Sequence, residues 1–99
     1  MSSKQQIIDA INAHMARYPN TKNPNWYVGI AADARERLFD DHSVDERNGI
    51  WIYQQADSSN VAREVESAYH DAGCKGGPGG GDKFTDKVYA YVITSTTKE

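Results

Sequence analysis

Cysteine is almost missing from this sequence: Cys74 is the only one among 99 residues. A lone cysteine excludes an internal disulfide and a cysteine-based zinc site. A chain without disulfides suits a reducing compartment, so the cytoplasm is its expected home. Long apolar runs are missing too. No stretch approaches the roughly 20 residues a membrane helix needs, so no membrane partner is expected. The opening residues, MSSKQQIIDA, lack the basic start and the extended apolar segment of a secretory signal. Positive charge is in deficit, with 11 Lys and Arg against 14 Asp and Glu, a formal net charge of −3. Dedicated nucleic-acid binders are usually basic, because neutralised phosphates supply most of their affinity. Charge balance therefore argues against tight non-specific binding, while Arg35, Arg37, Lys75, Lys83 and Lys87 are available for a local basic face. No HxH or HExxH spacing joins the three histidines, so no zinc site is proposed.

What is present is an alternation of helical and extended patterns. Residues 3–18 place Ile7, Ile8, Ile11, Met15 and Tyr18 at helical spacing behind a Ser3 cap. PNTKNPN then breaks the chain. WYVGIA reads as a short strand. Asp33, with Glu36 three residues on, predicts a capped helix running to about His42 and burying Leu38. GIWIYQQA predicts a second strand with Ile50 and Ile52 on one face and Trp51 and Tyr53 on the other. Ser58, or a neighbour, caps a third helix that Gly73 ends, with an inner stripe of Val61, Ala62, Val65, Ala68 and Tyr69. A glycine-rich loop over 76–81 leads to a last strand, KVYAYVIT, alternating Val88, Ala90 and Val92 against Tyr89, Tyr91 and Ile93. The expected fold is one α+β domain over 1–99: a small, largely antiparallel three-stranded sheet flanked by about three helices. Residues 3–18 form an extra N-terminal helix.

The segment YVGIAADARERLFDDH resembles the second half of the GIY-YIG nuclease signature. Tyr27-Val28-Gly29 is followed by Arg37 ten residues after the tyrosine, then by Leu38 and His42. GIWIYQQADSSNVAREVE continues with a strand and a capped helix of the pattern Ala-x-x-x-Glu, which sets Glu66 on the metal-binding glutamate of that family. The likeness covers Trp26 to Ala72. The family's first strand, Gly-Ile-Tyr, is not found upstream, where a helix and an Asn/Pro loop stand instead. KVYAYVIT at the far end is similar to it, with Tyr89 matching the tyrosine and Lys87 standing in the glycine's place. The later asparagine of the family has no counterpart. The resemblance thus implies a circularly permuted GIY-YIG-like domain, with its first strand moved to the end.

That resemblance implies metal-dependent cleavage of phosphodiesters in DNA or RNA. Arg37 would clamp the phosphate with its planar fork. Tyr27 or Tyr89 would position water or act as base, His42 would shuttle a proton, and Glu66 would hold Mg²⁺ or Mn²⁺. A turn at Gly29 would bring the tyrosine and the arginine to one spot. Each residue also has an ordinary reading. The tyrosines pack a small sheet; Arg37 pairs with Asp33 or Asp41; His42 closes a helix C-terminus; Glu66 competes with Glu64 on a charged helix. The alternative functions are a catalytically inactive binding module and a small acidic inhibitor or accessory protein, with Asp40, Asp41, Asp45 and Glu46 facing a basic protein partner. His14 and His70 read as surface or boundary residues. Cys74, at a helix end, has nothing to activate it. The glycine loop lacks the Gly-Lys-Ser/Thr ending of a phosphate-binding loop and reads as turn-forming.

Overall fold

A computed structural model describes residues 1–77 and 84–99; most of the glycine loop, with Asp82 and Lys83, lies outside the described residues. The first helix, α1 (Lys4–Ala16), begins where expected. Ser3 Oγ accepts from the Gln6 backbone N–H at 3.2 Å, and Gln6 Oε1 accepts from the Ser3 N–H at 2.9 Å. This reciprocal box satisfies two of the donors that every helix start leaves unpaired. A 3₁₀ turn over Asn23–Asn25 then feeds β1 (Trp26–Ala31).

Three strands form one antiparallel sheet in the order β1, β3 (Lys87–Val92), β2 (Trp51–Gln55). The last strand in the chain is therefore the central one, and it fixes both neighbours. Tyr27 faces Tyr91 and Gly29 faces Tyr89 on one side, while Trp51 faces Tyr91 and Tyr53 faces Tyr89 on the other. Because side chains alternate along a strand, this register sorts the sheet into two unlike faces.

One face is mainly aliphatic. Val28, Ile30, Val88 and Ala90 pack there with Trp26 against Ile7 and Ile11 of α1 and against Ala62, Val65 and Tyr69 of α2 (Ser59–Asp71). Tyr69 ties the two helices together, its hydroxyl donating to Asn12 Oδ1 at 2.7 Å. Ser58 caps α2, and Gly73, at φ +105°, turns the chain out of it, as expected from the sequence. Ala68 departs from the expected inner stripe and is exposed.

The other face is aromatic, carrying Tyr27, Tyr89 and Tyr91 with Trp51 and Tyr53 beside them. Leu38 and Val44 cover it. The expected helix after Asp33 is real but of another type: Glu36–Asp41 is π-helical. Asp33 accepts from the Glu36 N–H at 3.1 Å, and the exit bond runs from the His42 N–H to the Arg37 carbonyl, five residues back. The chain leaves through Ser43 in the left-handed region, at φ 58°. Both sheet edges receive backbone partners. Lys75 exchanges bonds with Trp26 and Val28 along β1, and Ser2 does the same with Gln55 and Asp57 at the end of β2.

Candidate functional site

The aromatic face brings together residues from distant parts of the chain. Tyr27 comes from β1, Tyr89 and Tyr91 from β3, and His42 from the end of the π-helical turn. In a regular α-helix, two residues five apart stand about 140° from each other around the axis. The widened turn, with its i→i−5 bond, reduces that offset. Arg37 and His42 thus belong to one turn.

His42 is the hub. The residue is 6% exposed, and its ring lies 4.6 Å from the Tyr27 ring, centroid to centroid. Its Nε2 is 2.9 Å from the Tyr89 hydroxyl. Its Nδ1 is 2.6 Å from the Lys98 carbonyl and 2.9 Å from the Tyr91 hydroxyl. The Lys98 N–H donates to the His42 carbonyl at 2.7 Å, so the C-terminal segment is tied to this residue twice. Tyr27 stacks on Tyr91 at 5.2 Å, and the two planes lie 17° apart.

Gly29 is not at a turn, as the sequence suggested, but inside β1. Its purpose is space. A Cβ built there would sit 2.5 Å from the Tyr89 hydroxyl oxygen and 2.6 Å from Cζ. The Tyr89 ring lies across its cross-strand partner, and only a residue without a side chain leaves it room. Gly76 and Gly77 serve similar close approaches, since a Cβ on Gly76 would collide with His70 and one on Gly77 would come within 2.8 Å of the Tyr27 hydroxyl.

Electrostatics links these groups to two side chains outside the cluster. Burial raises the pKa of Tyr27 above the usual phenol value; a Gly77 backbone hydrogen bond and the Arg37 charge pull it down, and the Glu66 charge pushes it up. Burial likewise raises Tyr89, where Tyr27 and Glu66 add to the rise and Arg37 opposes it. Arg37 and Glu66 therefore act on the same two phenols from opposite signs. Glu66 is 8% exposed, and its carboxylate makes no hydrogen bond or ion pair among the described residues. Burial raises its pKa, with His70 and Arg63 pulling it back. His70 itself is a boundary residue, and its Nε2 donates to the Val28 carbonyl at 2.9 Å.

No protein-family model, curated protein or solved structure matches this chain.

Tyr27, His42 and Tyr89 form one buried cluster. Arg37 stands at its rim, its side chain 53% exposed and ion-paired with Asp41 at 3.5 Å. Glu66 sits on α2 and bears on the cluster through its charge. No group of three or more His, Cys, Asp or Glu is set to hold a metal among the described residues. Glu66 alone suits a hard cation such as Mg²⁺, which commonly takes one or two carboxylates and completes its shell with water and phosphate oxygens. A buried carboxylate with no cationic partner in hydrogen-bond contact is the donor such an ion neutralises.

Two members of the cluster escaped the sequence reading. Tyr91 shares a face with Tyr89 by strand alternation, so its presence was legible although the motif names only one tyrosine there. The Lys98 carbonyl carries no signal at all, because every residue has one. The acidic run offered as a docking surface is mostly engaged locally. Arg35 pairs with Glu46 and Arg37 with Asp41. Asp45 accepts from the backbone N–H groups of Arg47 and Asn48, which hold its carboxyl below the usual range. Cys74 is buried, and burial pushes its thiol up, away from thiolate character. No helix among the described residues is long and apolar enough to cross a membrane.

Proposed function

We propose that this chain is a circularly permuted GIY-YIG-like domain that hydrolyses phosphodiester bonds in nucleic acid with the help of Mg²⁺ or Mn²⁺. One observation carries the reading. The residues matched to that motif by spacing come from four separate elements, and all five bear on the same pair of phenols. Three of them touch, and the other two act by charge on the same phenols. Packing of a small sheet requires aromatics. It does not require a buried histidine within hydrogen-bond distance of two tyrosine hydroxyls.

In this reading the Arg37 guanidinium leaves Asp41 for the scissile phosphate, whose oxygens match its fork far better than a half-exposed carboxylate at 3.5 Å does. Tyr27 and Tyr89 orient the attacking water. Its proton passes to the Tyr89 oxygen as the Tyr89 proton moves toward His42, 2.9 Å away. Water adds to phosphorus, and the P–O bond to the leaving oxygen breaks. Glu66 would hold the divalent ion, which when bound supplies charge stabilisation to that leaving oxygen.

The outward Arg37–Asp41 pair favours a second reading, a domain that binds nucleic acid or a protein without cutting. Labelled single- and double-stranded DNA and RNA, incubated with Mg²⁺ and Mn²⁺, separate the two. The nuclease reading expects cleavage that Arg37→Ala and Glu66→Gln abolish, with Tyr89→Phe slower by about 10²–10⁴-fold, the range for losing a positioned acid–base group. An absence of cleavage by the folded wild-type protein on every substrate overturns it.

A further inference from the structure

The C-terminal segment is tied to the site by backbone atoms, which the proposed chemistry does not use. We infer that the Lys98 carbonyl is a positioning group that holds His42 in its Nδ1–H tautomer, leaving Nε2 as the acceptor of the Tyr89 hydroxyl proton. A carbonyl oxygen only accepts, and Lys98 O lies 2.6 Å from Nδ1. A lone pair on Nδ1 would face the carbonyl lone pairs at that distance, so Nδ1 carries the hydrogen. The remaining contacts then fall into place. Tyr91 O–H donates to the same carbonyl at 3.4 Å, and Tyr89 O–H donates to Nε2 at 2.9 Å. The opposite tautomer would pair Tyr91 with Nδ1 but leave the short carbonyl contact repulsive inside a buried cluster.

The segment is built to hold that carbonyl in place. Lys98 N–H donates to the His42 carbonyl at 2.7 Å, closing a two-way backbone link. Upstream, Thr94 and Thr97 form a turn, with the Thr94 N–H donating to Thr97 Oγ1 at 2.9 Å and the Thr97 N–H donating to the Thr94 carbonyl at 3.3 Å. Tyr89, His42 and the Lys98 carbonyl thus form a relay in which a backbone oxygen orients the base from behind, a task carboxylates perform in other proteins. Its consequence for catalysis rests on the phosphodiesterase reading; the tautomer itself does not.

Long-range ¹⁵N–¹H NMR of the histidine rings tests this directly, at a pH above the ordinary histidine range. The full chain is expected to show a protonated Nδ1 and an unprotonated Nε2 for His42. An Nε2–H pattern overturns the inference. Removing residues 98–99, or substituting Lys98→Pro to delete the N–H bonded to the His42 carbonyl, is expected to convert His42 mainly to the Nε2–H form. Lys98→Ala keeps the backbone and should leave the pattern unchanged. Retention of Nδ1–H in both disrupted variants, each checked for folding by its amide spectrum, overturns the role of the segment. Where the protein cleaves nucleic acid, the two disrupted variants should also lose about 10–100-fold in rate, as is typical when a group orienting an active residue is lost, with a changed pH–rate profile. If nothing cleaves, the phosphodiesterase reading fails while the tautomer measurement still decides this one.

Discussion

Gly29→Ala tests whether the glycine exists to seat Tyr89. The added Cβ would lie 2.5, 2.6 and 3.0 Å from Oη, Cζ and Cε1 of that ring. Carbon contacts settle near 3.5–4.0 Å, so the ring must retreat by about 1 Å. It has little freedom to do so, being 2% exposed and held to His42 Nε2 at 2.9 Å. Overpacking of this kind costs about 1–3 kcal/mol, and stretching the buried hydrogen bond adds about 0.5–1.5 kcal/mol. Replacing a strand glycine returns about 0.5–1 kcal/mol of chain entropy. The net loss is about 1–3 kcal/mol, and each kcal/mol lowers the melting midpoint of a domain this size by about 4–8 °C. Urea and thermal unfolding measure it. The decisive comparison is a Tyr89→Val background, where the obstructing ring atoms are gone. There Gly29→Ala should be neutral or stabilise by a few tenths of a kcal/mol up to about 1 kcal/mol. An equal loss in both backgrounds refutes the steric argument and assigns the glycine to its backbone.

Other consequences are checked as simply. Arg37→Ala should leave stability within about 0.5 kcal/mol by urea titration, because an exposed i,i+4 pair contributes little, while removing any cleavage. Burial raises the Glu66 pKa, so the folded state holds this proton more tightly than the unfolded chain does, and stability falls as pH rises from the ordinary carboxyl range through the folded value. Glu66→Gln should therefore melt higher than wild type at neutral pH, and Mg²⁺ or Mn²⁺ should raise the midpoint of wild type but not of Glu66→Gln. His14 has its Nε2 buried without a hydrogen-bond partner among the described residues, and burial followed by the Arg17 charge lowers its pKa. The unfolded chain then takes up the proton first, so stability falls as pH drops below about 6.5, and His14→Leu should shrink the stability difference between about pH 7.5 and about pH 5.5.

Much of the fold was legible because it rests on local rules. Ser3 with Gln6, Ser58, and Gly73 mark helix ends by chemistry that acts within a few residues. The two sheet faces follow from alternation alone: Val88 and Ala90 against Tyr89 and Tyr91. The π-helical turn was not legible. No residue from Glu36 to Asp41 favours it over an α-helix; the buried ring of His42, pinned by β3 and Lys98, accompanies the wider turn. The role of Gly29 was misread for a related reason. A glycine's neighbour across a sheet depends on register, and the register with Tyr89 is set by a strand almost sixty residues away. Of the site, Tyr27, His42 and Tyr89 were legible as a spacing and met in space, whereas the Lys98 carbonyl had no letter to announce it.

Under the phosphodiesterase reading, the two outer charges would keep the site idle until substrate and cation arrive. Burial alone holds Tyr27 and Tyr89 protonated, and the Glu66 charge holds them more firmly. Neutralising Glu66 removes that second restraint at both phenols together. A phosphate drawing Arg37 inward adds an opposing influence, since Arg37 already favours the ionised form of each tyrosine from the rim. Under the phosphodiesterase reading, the same two events would ease proton loss from both tyrosines. Ultraviolet titration of the phenols makes this concrete. Glu66→Gln should lower the pH at which the cluster tyrosines ionise and Arg37→Ala should raise it, and a shift of the same sign in both variants would show that the two charges do not act on these phenols as opposing pair.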